Sequence, residues 1–153
     1  MNKTIVWDTR QKKDKHDETL KWFEDNGYKV VRSKLFTGDV TYLNNMSLVI
    51  DTKKDMLEIC QNVVQSHKRF TDEIKRAIEN DIKLVFLIEE SGISCLEDVQ
   101  VWKNPRRFYS NKATKGEQLY KILKTIEDRY NTKFYFCDKA ETGQKIIEIL
   151  EAK

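Results

Sequence analysis

The chain has 153 residues, of which 39% are hydrophobic and 35% charged, with one proline and five glycines. That is the size and composition of a single folded domain over residues 1–153, and it excludes low-complexity, fibrous and disordered classes. The net charge of +3 is too small to name a nucleic-acid partner, so the placement of the charges matters more than their sum.

No apolar run approaches the roughly 20 residues of a membrane span. The N-terminus MNKTIVWDTR places an acid where a signal peptide would stay apolar, so a soluble, cytoplasmic protein is expected. Cys60, Cys95 and Cys137 lack C-x-x-C spacing, which points to reduced thiols and away from a zinc site or disulfide frame.

In chain order, KTIVWD (3–8) reads as a strand, and KHDETLKWFEDNG (15–27) as a helix with Leu20 and Phe23 on one face and Gly27 as its cap. The mixed charge run at 12–18 reads as a solvated helix entrance. YKVVRSKLF (28–36) and DVTYLNNMSLVIDTK (39–53) give three strands, the last two joined by a turn at Asn44 and Asn45. Met56, Cys60, Val63 and Val64, then Phe70, Ile74, Ala77 and Ile78, recur at helical spacing and predict two consecutive helices.

IKLVFLIEE (82–90) is a continuous apolar run, the mark of a strand covered on both faces, and is expected at the centre of the sheet. GEQLYKILKTIEDRY (116–130) predicts a helix with Leu119, Ile122, Leu123 and Ile126 inward. TKFYFC (132–137) then reads as a strand and AETGQKIIEILEAK (140–153) as a closing helix. The alternation predicts an α/β fold in three layers, with helices on both faces of a mixed sheet.

Chemistry concentrates at 37–54. Residues two apart in a strand point to the same side, so Asp51 and Lys53 share a face, and a hairpin would return Asp39 toward them. Two carboxylates beside an ammonium suit a hard divalent cation and phosphodiester hydrolysis. A turn at Gly38-Asp39 and a solvated strand end at Asp51-Thr52-Lys53 fit the same residues, so spacing alone leaves both open.

The ordered set of motifs resembles the XPF-type structure-specific endonuclease domain of the PD-(D/E)xK nuclease superfamily. Its first-strand motif V-D-x-R-E is met by Asp8 and Arg10 in IVWDTRQ, its GDY by Gly38-Asp39, and its V-E-R-K by Ile50-Asp51-Thr52-Lys53. Arg69 in SHKRFTDEI matches the arginine of the next helix, and LVFLIEE resembles the buried strand that ends in Glu. Three positions depart from the pattern: Asp-Thr-Lys replaces Glu-Arg-Lys, Val40 replaces the tyrosine, and Gln11 replaces the first motif's glutamate. The helix-hairpin-helix module that accompanies such domains has no counterpart in these residues.

The resemblance implies a restriction-endonuclease-like core that hydrolyses DNA with Mg²⁺ or Mn²⁺. Asp8, Asp39 and Asp51 would be the metal-facing carboxylates and Lys53 the catalytic lysine, while Arg69 would contact phosphate. Branched DNA, or a junction of double and single strands, would be the substrate in recombination, repair or replication, with a homodimer allowed and a bacterial or phage setting suggested. A non-catalytic DNA-binding scaffold and a Holliday-junction resolvase are the alternatives.

Residue by residue, other readings stay open. Asp8 fits a cap before a helix equally well, and Arg69 fits an i,i+4 pair with Glu73. The two histidines, His16 and His67, are expected at the surface, with His67 beside Lys68 and Arg69 as the one placed to touch phosphate. Residues 101–116 interleave Lys103, Arg106, Arg107, Lys112 and Lys115 with Trp102, Phe108 and Tyr109. Such a loop either faces DNA or is pinned to the core by its aromatics.

Overall fold

A computed structural model of the chain describes residues 3–10 and 16–152. Gln11 and the first part of the charge run, 12–15, lie outside the described residues. One six-stranded sheet is built from β1 (Thr4–Asp8), β2 (Lys29–Ser33), β3 (Val40–Tyr42), β4 (Asn45–Lys53), β5 (Lys83–Glu89) and β6 (Phe134–Cys137), in the order β2-β1-β3-β4-β5-β6. The β1–β2, β4–β5 and β5–β6 pairs are parallel and the β1–β3 and β3–β4 pairs antiparallel, so the sheet is mixed, as expected.

The helices are α1 (Asp17–Asp25), α2 (Met56–Val64), α3 (His67–Glu79), α4 (Gly116–Arg129) and α5 (Thr142–Glu151). Strand alternation sorts the side chains into two layers. Val6, Val49, Leu84, Phe86, Ile88, Phe134 and Phe136 bury against α2, α3 and α4. On the opposite face Ile5, Trp7, Val40, Tyr42, Ile50, Val85 and Leu87 bury against Phe23 of α1 and Ile146 and Ile149 of α5. This is the three-layer α/β architecture of a restriction-endonuclease-like core.

Several local expectations are corrected. β5 is buried along Leu84–Ile88 but is the fifth of six strands, not the centre. An apolar run reports coverage of two faces, and β5 needs only β4, β6 and two helical layers to have it. The hairpin turns at Leu43 and Asn44, with Tyr42 opposite Asn45, and a bulge follows before Thr41 faces Val49. Val64 and Ile78 stand 41% and 39% exposed because the buried stripes run through Ile59 and Val63 on α2 and through Ile74 and Ala77 on α3. His16 is buried, with its ring edge-on to Trp7 at 5.1 Å.

Helix ends follow from local chemistry. Asp55 caps α2 by accepting the Glu58 N–H, and Glu90 at the end of β5 accepts the Met56 N–H, so two orphan donors of the first turn find carboxylates. Gly27, at φ 81°, takes the left-handed conformation just beyond α1, where only glycine is free of strain. Among the described residues no helix is long and apolar enough to cross a membrane.

Phe86 sits between Phe70 and Phe134 at centroid distances of 4.7 and 5.4 Å. It joins α3 to two strands through rings that water does not reach. Phe86→Ala is expected to lower the unfolding free energy by about 3–5 kcal/mol, read from urea titrations at constant m-value. Phe86→Leu is expected to recover most of the loss.

Candidate active site

The three residues of the hairpin motif come together. Gly38 turns the chain at φ 74° with no room for a side chain, since a Cβ there would stand 2.5 Å from Val49 Cγ1. The turn delivers Asp39 to the head of β3, where its N–H donates to the Ile50 carbonyl at 2.9 Å and its own carbonyl accepts the Asp8 N–H at 2.8 Å. Asp39 Oδ2 then accepts both the Thr52 N–H at 2.7 Å and the Thr52 hydroxyl at 2.8 Å. Before Val40 the regular β3–β4 register stops, and the carboxylate extends the bonding to β4 in its place.

Asp51 and Lys53 lie on one face of β4, with Asp51 Oδ2 and Lys53 Nζ 3.0 Å apart and both side chains largely enclosed. The ammonium rides over the Phe86 ring, 5.9 Å from its centroid. Burial pushes the Asp51 carboxyl up to about 7, and the nearby charge of Asp39, with which it shares a hydrogen bond, pushes the same way against the pull of Lys53. Burial alone would lower Lys53, but the charge and hydrogen bond of Asp51 carry it above the usual lysine value. Two carboxyls and one ammonium thus meet in an enclosed corner, an arrangement that a cation would relieve of repulsion.

Asp8 stands next door and is engaged differently. Its Oδ1 accepts the Leu35 N–H at 2.8 Å and its Oδ2 accepts Arg10 Nε at 2.8 Å. Arg10 Nη2 in turn donates to the Leu35 carbonyl at 2.9 Å. The carboxylate therefore binds the segment after β2 and raises the Arg10 guanidinium pKa, while the charge of Arg10 reaches Asp39 and Glu73. Among the described residues no three His, Cys, Asp or Glu side chains gather closely enough to hold a metal ion.

From α3, Glu73 accepts the Thr37 hydroxyl at 3.0 Å, tying that helix to the turn before Asp39. The i,i+4 ion pair on α3 is Lys68–Asp72, at 2.7 Å. Arg69 is exposed and lines an open depression with Glu73 and Arg76, and Arg76 lies over the Phe36 ring at 5.4 Å.

No family model and no curated protein matches the chain. Solved structures do. XPF from Aeropyrum pernix superposes with a TM-score of 0.66 at 17% identity, covering 96% of this chain and 59% of that one. XPF from the same organism in complex with DNA superposes with a TM-score of 0.66 at 18% identity, covering 97% and 63%. The chain has the fold of the XPF nuclease. It spans about three-fifths of the length of those structures.

On this XPF-like frame the remaining basic candidates lie apart from the carboxylates in sequence. His67 begins α3, exposed, with Nδ1 2.9 Å from the Val63 carbonyl. Lys103 and Arg106 are exposed on the 101–116 loop, whereas Arg107 turns Nη1 inward to the Asn111 and Ala113 carbonyls. Of the loop's aromatics, Trp102 packs against the core and Phe108 and Tyr109 do not. Pattern reading passed over Thr37 and Arg76, and it named Glu73 only as an ion-pair partner for Arg69 and Thr52 only as a departure from the motif. Thr52 had a signal, since it occupies the motif position where an arginine is usual.

The raised Asp51 pKa fixes a sign for stability. Between the unfolded value near 3.9 and the folded value of about 7, the native state keeps a proton that the unfolded state has lost, so stability falls as pH rises through this interval. Asp51→Asn cannot ionise. It is expected to raise the thermal midpoint by several degrees at pH 8 in EDTA, with the gain shrinking toward zero near pH 4. Equal midpoints for both proteins across that range would show that the carboxylate is not strained.

Proposed function

We propose that this chain is a divalent-cation-dependent endodeoxyribonuclease that hydrolyses phosphodiester bonds at flaps, forks or junctions of DNA, in recombination, repair or replication. The observation that carries the reading is the meeting of the Asp39 and Asp51 carboxyls beside Lys53. The likeness to an XPF structure held on DNA supports the choice of substrate.

Mg²⁺ is commonly bound by one or two carboxylates, with waters and phosphate oxygens completing its shell, so Asp39 and Asp51 are a sufficient protein donor set for Mg²⁺ or Mn²⁺. When bound, the cation neutralises charge on the phosphate and makes water a better nucleophile at neutral pH. The chain's own groups do the rest. Lys53 Nζ, oriented by Asp51, offers a proton donor and a positive charge to the reacting phosphate or to the attacking water. Thr52 fixes the Asp39 carboxylate through two hydrogen bonds. Arg69 and Arg10 hold the flanking phosphates, and Asp8 serves by holding Arg10 and the Leu35 backbone in place.

The test uses end-labelled flap, fork, four-way, duplex and single-stranded DNA with Mg²⁺, Mn²⁺ or EDTA. Cutting is expected on branched substrates with either cation. Asp51→Asn and Lys53→Met are each expected to slow it by about 10²-fold or more, with DNA binding retained. Tight binding of branched DNA by the wild-type protein without any cutting would leave a non-catalytic DNA-binding module in place of the enzyme.

A further inference from the structure

We propose that the loop from Trp102 to Lys115 is a stacking platform for unpaired nucleotides, with Phe108 and Tyr109 as the rings on which bases lie. The inference rests on the reading of DNA as the substrate, not on the hydrolytic chemistry. Its starting observation is that Phe108 and Tyr109 are 91% and 93% exposed, although the loop that carries them is firmly built.

The two ends of the loop are pressed together at Gly116, where a Cβ would fall 2.5 Å from the Val99 carbonyl and 2.6 Å from that of Trp102. Asn104 is buried and spans the interior, donating from Nδ2 to the Thr114 carbonyl at 2.9 Å and accepting the Arg106 N–H at 3.0 Å. Arg107 donates to the Ala113 carbonyl at 2.8 Å from the other side. The short 3-10 turn Pro105–Phe108 closes with Tyr109 and Ser110 both donating to the Arg106 carbonyl. Trp102 anchors the root against the core. The loop thus has an apolar anchor and internal hydrogen bonds, and it still holds two adjacent rings in water, where burial would stabilise each by about 1.5–3 kcal/mol.

The setting of the rings selects the occupant. From Val99 to Gly116 the chain carries five cations, Lys103, Arg106, Arg107, Lys112 and Lys115, and no acid. A protein-binding patch is depleted of lysine at its centre, whereas a sugar-phosphate backbone calls for a chain of cations beside its bases. Beside Phe108, Val101, Trp102, Lys103, Arg107 and Lys115 line a cleft of about 420 Å³, with Glu117, the first residue past the acid-free stretch, as its one carboxylate, and its size is within the range of small-ligand clefts. On its other side the loop faces Leu57, Cys60, Gln61 and Val64 of α2 across a cleft of about 300 Å³. These residues begin one turn beyond the end of β4, so the loop lies alongside a helix that starts at the catalytic corner and runs for roughly 13 Å.

Binding is measured in EDTA by fluorescence anisotropy, with a labelled dT₁₂ strand, the same strand built from abasic nucleotides, and a 12-base-pair duplex. Wild-type protein is expected to bind dT₁₂ more tightly than the abasic strand. The Phe108→Ala/Tyr109→Ala double variant is expected to weaken dT₁₂ binding by roughly 30-fold and to bring it down to the abasic value. Phe108→Trp/Tyr109→Trp is expected to restore it, and Arg106→Ala/Lys112→Ala to weaken both strands alike.

Both substituted rings are exposed, so unchanged thermal midpoints are expected to confirm folding. Equal binding of dT₁₂ and the abasic strand, or no effect of the double alanine variant, would overturn the platform. So would a wild-type dimer in light scattering that the double variant turns into a monomer, because the rings would then serve a protein interface. Since no metal is present, failure to cut DNA leaves this result untouched, and loss of stacking leaves the cutting assay free to succeed.

Discussion

Asp39 is bonded to two strands at once, and the candidate site depends on that. Its carbonyl takes the Asp8 N–H from β1, its N–H reaches Ile50 on β4, and its carboxylate takes two bonds from Thr52. The order β1-β3-β4, with both contacts antiparallel, brings the end of β1, the head of β3 and the end of β4 to the same end of the sheet's strands. No all-parallel arrangement of the same strands would do so. The short mixed segment of the sheet is therefore what assembles Asp8, Asp39 and Asp51, while the parallel β4-β5-β6 segment supplies the buried floor beneath Lys53.

This assembly works against stability. Taking a carboxylate out of water beside a second one favours its neutral form, and the raised Asp51 carboxyl records that strain. The surroundings tolerate it because each partner is satisfied elsewhere. Thr52 serves Asp39, Lys53 serves Asp51, and the packed rings of Phe70, Phe86 and Phe134 hold the floor. A loosely packed corner would relax by separating the carboxylates, and the enclosed pair would be lost.

The sequence carried the architecture in its periods and the carboxylate pair in its motif spacing. Alternation at β4 put Asp51 and Lys53 on one side, as the 3.0 Å contact has it, and Gly38 before Asp39 is explained by a turn that no other residue fits. The commitments of individual polar groups were not legible. Where Asp8 spends its oxygens depends on Leu35, 27 residues away, and no local pattern encodes that pairing. The position of β5 was misread because an apolar run reports what covers a strand, not how many strands lie beyond it. His16 is enclosed by Trp7 through a contact across nine residues of chain, which composition cannot foresee.

Two cationic surfaces connect to different halves of the carboxylate pair. The exposed arginines of α3 line one depression with Glu73, which accepts the Thr37 hydroxyl in the turn before Asp39. The 102–115 loop faces α2 across a cleft, and that helix begins three residues after Lys53, the last residue of β4. The hydrogen bonds of Thr52 to Asp39 Oδ2 tie the head of β3 to the end of β4 between these two surfaces. An arginine in place of Thr52 would add a charge and keep the backbone bond, but would lose the 2.8 Å hydroxyl bond by which the end of β4 holds the Asp39 carboxylate.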